Sequence, residues 1–384
     1  MSLAERVAGK RVCICAGSGG VGKTTTSAAI AMGLAAQGAR VAVVTIDPAR
    51  RLADALGIEQ LGSEPRRVDP ARFQGHGIEL RGELWAMMLD PKQTFDELIA
   101  RLAPDERARD EILANRIYRE LSGAVAGSQE FTAVAKLYDL HRSGDFDVIV
   151  LDTPPSRNAL DFLDAPDRLT GFLEGRALRL LLAPSGLAAR VVGRGTSVVF
   201  SVLSRLTGVD LLNDLKVFFG ALSGVLDGFR ERAAGVKALL GDPATTFLIV
   251  TSPQREAAEE AIYFRGKLRE AGMPFGGLVV NRVHPLSAAG RAGDDLDEAA
   301  LAAELGGDEA LARKVARTLR EFRALAHRDA AAIDRLERET GDGQPVLVPQ
   351  LDGDVHDVDG LVAVHRHLFA TDAERSALLE ASAF

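Results

Sequence analysis

The feature that most constrains this chain is a glycine-rich loop between an apolar run at 11–16 and an alanine-rich helical pattern. The loop consists, in order, of Gly17, Ser18, Gly19, Gly20, Val21, Gly22, Lys23, Thr24 and Thr25. Glycines let successive backbone N–H groups approach an anion, and the following helix adds the partial positive charge of its N-terminus. Lys23 suits the outer phosphates of a nucleotide, and the Thr24 hydroxyl suits Mg²⁺. The sequence therefore predicts a P-loop that binds a nucleoside triphosphate with Mg²⁺.

Apolar runs of strand length alternate with helical patterns along the rest of the chain. They lie at 40–46, 84–89, 146–151, 246–252, 276–281 and 345–348. Most are continuously hydrophobic, which is typical of strands that are buried on both faces of a parallel sheet. The pattern predicts an α/β fold with a doubly wound, mostly parallel sheet of the P-loop NTPase kind. Its functional loops should lie at the carboxyl ends of the strands.

Two long helical patterns interrupt this alternation and predict an inserted helical subdomain. We expect the first part of the core at 1–89, a helical insert at 90–142 and a core strand with its switch at 143–156. A second helical, apolar and arginine-dotted part follows at 157–240, and the final core strands and helices occupy 241–384.

Composition narrows the class of protein. A net charge of −8 argues against a surface that coats nucleic acid. The two cysteines, Cys13 and Cys15, share one face of the first strand pattern and are expected to be small apolar fillers. They permit neither a disulfide framework nor a zinc cluster. Without a signal-peptide pattern or a membrane-length apolar run, we expect a cytoplasmic protein.

Three polar residues at strand ends are candidates for nucleotide chemistry. Asp152 ends one apolar run and precedes Thr-Pro-Pro, which suits an acid on the Mg²⁺ side. Asp47 ends another run and precedes Pro48; it could position the attacking water, it could be the N-cap of the next helix, and both roles can coexist. Asn281 offers an amide for an adenine edge, although a simple turn residue fits the local sequence equally well.

Taken together, G-x-G-G-x-G-K-T-T, D-P-A, D-T-x-P and V-V-N resemble the deviant Walker A ATPases. Within these, the chain resembles the arsenical-pump-driving and tail-anchored-protein-targeting ATPases, and the motifs follow in order along the whole chain. The resemblance implies an ATPase that closes as a dimer around two ATP molecules. By motif position it implies Asp47 as the water-positioning carboxylate and Asp152 as the Mg²⁺-side acid. It also implies Asn281 as the base reader, with Pro349 nearby.

Three departures from that family pattern are visible. Ser18 stands where the family has its signature lysine, and a serine offers no charge to a phosphoryl transition state. Either hydrolysis is weak in a homodimer, or a paralogue that carries this lysine completes a heterodimer. The segment after Asp152 lacks the family's glycine-histidine-threonine run. The chain also has no C-x-x-C, which argues against a zinc-clamped dimer and against arsenite ligation. It looks like a bacterial branch without this metalloid chemistry.

Three functions remain in competition. The first is an ATPase that handles a hydrophobic protein client or drives a membrane partner. It is motivated by apolar runs at 178–182, 191–192, 198–200 and 217–219, although these are equally well explained as the core of a helical subdomain. The second is a positioning or partitioning ATPase that binds membrane or DNA, but the short, mildly acidic C-terminal segment disfavours it. A small-molecule kinase ranks last.

Overall fold

A computed structural model describes most of the P-loop core and part of the predicted helical insertion. The described residues are 2–47, 50–116, 118, 128–153, 225–285, 297–351, 353, 355 and 357–381. Pro48, the two prolines after Thr153 and the four apolar runs between 178 and 219 lie outside them. The chain divides into two compact units. The first comprises Met1–Met88, Ser143–Ala159 and Gly241–Phe384, and the second comprises Leu89–Arg142 and Leu160–Leu240.

The first unit contains a sheet of eight strands. They are β1 (Val12–Ala16), β2 (Arg40–Thr45), β3 (Arg66–Arg67), β4 (Glu83–Met88), β5 (Val148–Asp152), β6 (Thr245–Thr251), β7 (Phe275–Val283) and β8 (Val346–Pro349). Their order across the sheet is β3-β4-β2-β5-β1-β6-β7-β8. All neighbouring pairs are parallel except β3 with β4. From β1 the chain first builds one side of the sheet with β2, β3 and β4, and β5 then fills the position between β1 and β2. The strands β6, β7 and β8 extend the sheet on the other side of β1. This topology confirms the predicted doubly wound, mostly parallel α/β fold.

The buried strands explain why their sequences are continuously apolar. Every residue of β1, β5 and β6 is buried, including the polar ends Asp152 and Thr251. Strands covered on both faces have no solvent side on which polar residues could alternate. The antiparallel edge strand β3, formed by two exposed arginines, was not predicted, because two residues carry no periodic signal.

Helices of the first unit follow these strands. They are α1 (Leu3–Val7), α2 (Lys23–Ala36), α3 (Arg51–Ala55), α8 (Arg255–Glu270), α9 (Glu298–Glu304), α10 (Glu309–Thr340), α11 (Val358–Phe369) and α12 (Asp372–Ala381). Gly33 of α2 lets α11 approach closely, since a Cβ there would lie 2.3 Å from the ring of Phe369. This contact holds the helix that follows the P-loop.

The described helices of the second unit are α4 (Pro91–Leu102), α5 (Glu106–Ala114), α6 (Ser128–Ser143) and α7 (Leu226–Gly241). Asp90 and Asp105 cap α4 and α5 by accepting backbone N–H bonds from Gln93 and Ala108. None of the helices in the described part of the chain combines the length and the apolar character that crossing a bilayer requires.

Candidate functional site

The glycine-rich loop lies between β1 and α2, at the carboxyl end of the central strand of the sheet. Two of its glycines are required by their surroundings. A Cβ at Gly17 would lie 2.0 Å from the carbonyl oxygen of Val250 on β6. Gly22 has a φ of 93° and is the N-cap of α2, and a Cβ there would lie 2.3 Å from the Asn281 amide nitrogen. Larger residues would therefore change the path of the loop.

Lys23, the first residue of α2, is held inside this loop. Its side chain is buried, and its ammonium nitrogen donates a hydrogen bond to the carbonyl oxygen of Ser18 at 2.7 Å. Burial lowers the pKa of Lys23, while the negative charges of Asp152 and Asp47 act in the opposite direction. The lysine thus brings a positive charge to the same place as the loop N–H groups, which suits a polyphosphate.

Asp152, at the end of β5, is buried next to the start of α2. Its Oδ2 accepts hydrogen bonds from the hydroxyls of Thr24 at 2.7 Å and Thr45 at 2.8 Å. Its Oδ1 is also buried and has no hydrogen-bond partner among the described residues. Burial raises the pKa of Asp152 to about 6, although both threonine hydrogen bonds and the charge of Lys23 lower it.

These oxygens form a donor set that fits Mg²⁺. Hard divalent cations prefer hydroxyl, carboxylate and water oxygens to nitrogen or sulfur ligands. Thr24 gives its proton to Asp152 and keeps its lone pairs, and the unpartnered Oδ1 of Asp152 is a buried acceptor. The residues present therefore fit the cofactor implied by the sequence motif.

Asp47 follows β2 by two residues and is partly exposed. Its backbone N–H donates to the Thr45 hydroxyl at 3.2 Å, and its carboxylate lies 3.9 Å from the guanidinium of Arg51. The alternative interpretation of Asp47 as a helix N-cap is wrong, because α3 begins at Arg51 with Arg50 at its N-cap. Asp47 is therefore not the N-cap residue of α3.

A cavity of about 660 Å³ collects most of the predicted site residues. Its lining includes Gly19, Gly20, Gly22, Lys23, Thr24, Thr25, Asp47, Asn281 and Pro349. Four predicted residues are not part of the lining: Gly17, Ser18, Val21 and Asp152. Asp152 lies behind the lining and is hydrogen-bonded to Thr24, which does line the cavity. The cavity has the size of a ligand site for a small molecule such as a nucleotide.

Asn281 connects β7 to the glycine loop. Its amide nitrogen donates to the Val21 carbonyl at 2.9 Å, and its amide oxygen accepts from the Arg282 backbone N–H at 2.9 Å. Arg282 has a φ of 60°, in the left-handed region that non-glycine residues rarely adopt. The carboxamide keeps a second N–H and a second lone pair, so base contact remains compatible with this geometry.

A family model described as anion-transporting ATPase matches residues 10–292. The chain belongs to the anion-transporting ATPase family. The match covers the P-loop, both candidate aspartates and Asn281, whereas Pro349 and the other cavity residues after it lie outside the matched range. The resemblance to arsenical-pump-driving and tail-anchored-protein-targeting ATPases is thereby confirmed at the level of the family.

Individual relatives agree with this family. The chain is 27% identical to a protein of Aquifex aeolicus named as an arsenical pump-driving ATPase, over 72% of this chain and 64% of that protein. It is 28% identical to an uncharacterized protein of Streptomyces coelicolor, over 91% and 78% of the two chains. It is 33% identical to the ATPase GET3 of Podospora anserina, over 40% and 42%. The matches to the first and third relatives span less than two thirds of those relatives' length.

Within this member of the anion-transporting ATPase family, sequence reasoning missed several residues at the site, among them a threonine and an arginine. Thr45 contacts the carboxylate of Asp152, and Arg282 lines the cavity. Ser18 stands at the signature-lysine position, and its carbonyl oxygen accepts a hydrogen bond from Lys23. Its hydroxyl is buried without a hydrogen-bond partner among the described residues. A polar residue two positions before Asp47, at a strand end, was the only signal for Thr45.

Proposed function

We propose that this chain is a magnesium-dependent ATPase whose nucleotide-driven dimer closure acts on a hydrophobic protein client or a membrane partner. The observation that carries the proposal is the shared cavity. It combines the phosphate-binding loop, the buried Lys23 and the carboxylate of Asp47. Thr24 of the loop also lines it and donates a hydrogen bond to the buried carboxylate of Asp152. ATP hydrolysis requires this set: a cradle for phosphates, an acid on the metal side and a group that orients water.

Each residue then has a defined task. The loop N–H groups and Lys23 bind the outer phosphates, and Thr24 with Asp152 holds the magnesium end of the nucleotide. Mg²⁺, when bound, neutralises charge that develops on the phosphate oxygens. Asp47 accepts a hydrogen bond from the attacking water and orients it. Asn281 reads the adenine edge, with Pro349 beside the base.

Ser18 determines how fast this reaction runs in the isolated chain. Without the lysine charge at this position, we propose that a homodimer hydrolyses ATP slowly and that a lysine-bearing paralogue forms the more active heterodimer. A cation that reaches a phosphoryl transition state from a partner chain accelerates transfer by roughly 10³-fold to 10⁵-fold in other phosphoryl-transfer systems.

The client or partner is proposed from the family and not from the cavity. One relative's name refers to a pump that its ATPase drives. Cys13 is fully buried within β1, and a hydrogen bond to Cys15, together with burial, raises the pKa of its thiol well above its usual range, which disfavours a thiolate for arsenite or zinc. We therefore propose a partner other than a metalloid carrier, acting with this ATPase in the cytoplasm.

Phosphate release by the purified chain tests the ATPase proposal. We expect slow, Mg²⁺-dependent turnover that Lys23→Ala and Asp47→Asn abolish, while Lys314→Ala on the exposed face of α10 leaves it unchanged. Light scattering with ATP measures dimer closure. Brisk turnover by a homodimer that keeps Ser18 would refute the heterodimer proposal, and absence of nucleotide binding would refute the ATPase proposal itself.

A further inference from the structure

Thr45 is the last residue of β2, and it lies directly opposite Asp152 in the parallel register of β2 and β5. Its side chain is buried, with 1% of its surface exposed. The hydroxyl donates to the Asp152 carboxylate at 2.8 Å and accepts the backbone N–H of Asp47 at 3.2 Å. A hydroxyl has one proton and two lone pairs, so both bonds form at once. One side chain therefore contacts both aspartates of the site.

The two hydroxyls on Asp152 differ in origin. Thr24 belongs to the phosphate loop, and its oxygen has its own task at the magnesium end of the nucleotide. Thr45 belongs to a buried strand, hydrogen-bonded on both sides by β4 and β5. Groups on rigid elements hold a functional side chain more accurately than groups on loops. The hydrogen bond from Thr45 thus holds Oδ2 of Asp152 in place and leaves Oδ1 as the oxygen that can accept a further bond.

We propose that Thr45 is a positioning residue of this site, which orients the Asp152 carboxylate toward the magnesium–nucleotide complex and anchors the backbone from which Asp47 extends. This inference rests on the proposed function. Because Asp152 acts on the nucleotide only through the metal, loss of the Thr45 hydroxyl weakens nucleotide binding when Mg²⁺ is present. Binding through the loop and Lys23 alone does not depend on it.

Titration calorimetry of the full chain tests this, with ADP and a non-hydrolysable ATP analogue, each in Mg²⁺ and in EDTA. Thr45→Val keeps the shape of the side chain and removes its hydroxyl. We expect it to lower the affinity in Mg²⁺ at least roughly tenfold, the effect of losing a hydrogen bond to a charged group. Affinity in EDTA stays unchanged. Thr45→Ser keeps the hydroxyl and restores binding in Mg²⁺.

Thr246→Val is the matched control, since Thr246 is equally buried but lies in the amino-terminal half of β6. Circular dichroism shows whether each variant folds, and Thr45→Ala replaces the valine variant if that one does not. Equal losses in Mg²⁺ and EDTA, no loss at all, or no rescue by serine would each overturn the inference. If the wild-type chain binds no nucleotide in either condition, the proposed function fails as well, so the two failures are distinguishable.

Discussion

Replacing Asp152 by asparagine should stabilise the nucleotide-free protein while removing the Mg²⁺-dependent part of its response to ATP. The reason lies in the buried carboxylate. Burial raises its pKa from 3.8 to about 6. A tenfold change in proton affinity corresponds to about 1.4 kcal/mol, so the ionised carboxylate destabilises the fold by about 3 kcal/mol.

The sign follows from proton binding. Between about pH 4 and pH 6, the folded protein keeps a proton on Asp152 that the unfolded chain has already lost. The free energy of unfolding therefore declines as the pH rises through this window, and the full penalty is present at pH 8. Asparagine cannot ionise and still accepts from Thr24 or Thr45, so the variant avoids the full penalty at pH 8 and gains only a small part of it near pH 4.

Thermal unfolding in EDTA, without nucleotide, measures this difference. At pH 8 we expect Asp152→Asn to raise Tm by roughly 5 °C, and at pH 4.5 this difference should shrink to roughly a third. Asp145→Asn, in the exposed loop before β5, is the control for a charge change that leaves the core alone. ATP alone should raise Tm in both proteins, and only the wild-type chain should gain further Tm when Mg²⁺ is added to the ATP. A variant that is less stable than wild type at pH 8 would refute the reasoning.

Three further predictions concern the loop, the helix contact and the sheet. Asn281→Ala should lower the affinity for ATP more than that for GTP in calorimetry, and equal losses would show that the amide only braces the loop at Val21. Gly33→Ala, whose Cβ would meet Phe369, should destabilise by about 1–3 kcal/mol in urea unfolding, while Gly266→Ala, which has open space, should not. Arg6→Leu should destabilise by about 3–5 kcal/mol in the same assay, because it leaves a buried carboxylate without its ion pair.

The parts of the fold that the sequence could predict are those with a local signal. Continuous apolar runs revealed the buried strands, and the glycine loop with Lys23 revealed the start of α2. The end of β7 was placed too early, because the polar pair Asn281 and Arg282 ends the apolar run in the sequence. The strand nevertheless continues to Val283, with Arg282 in the left-handed conformation. The helix after Asp47 was placed too early as well, since Pro48 looks like a first helical residue.

The contacts that organise the site are not local. The Thr45 hydroxyl and the Asp152 carboxylate are 107 positions apart, and they meet only because β2 and β5 are neighbours in this strand order. Asn281 reaches Val21 across 260 positions for the same kind of reason. Strand order is set by packing of the whole sheet, so a single sequence predicts which residue types suit a nucleotide but not which side chains touch.

The same strand order explains why the site tolerates a destabilising group. Asp152 ends a strand that is buried on both faces, so its carboxylate is dehydrated by the sheet itself. Thr24 and Thr45 satisfy Oδ2 and leave Oδ1 as a buried acceptor without a partner in the part of the chain that the structure describes. A carboxylate in this state attracts a cation more strongly than one in water, because the low-dielectric surroundings strengthen the Coulomb attraction and the carboxylate is already dehydrated when the cation binds. Functional sites commonly retain such groups at the expense of stability. The stability that asparagine should restore at 152 is therefore the stability that the wild-type chain gives up for the magnesium response that we propose.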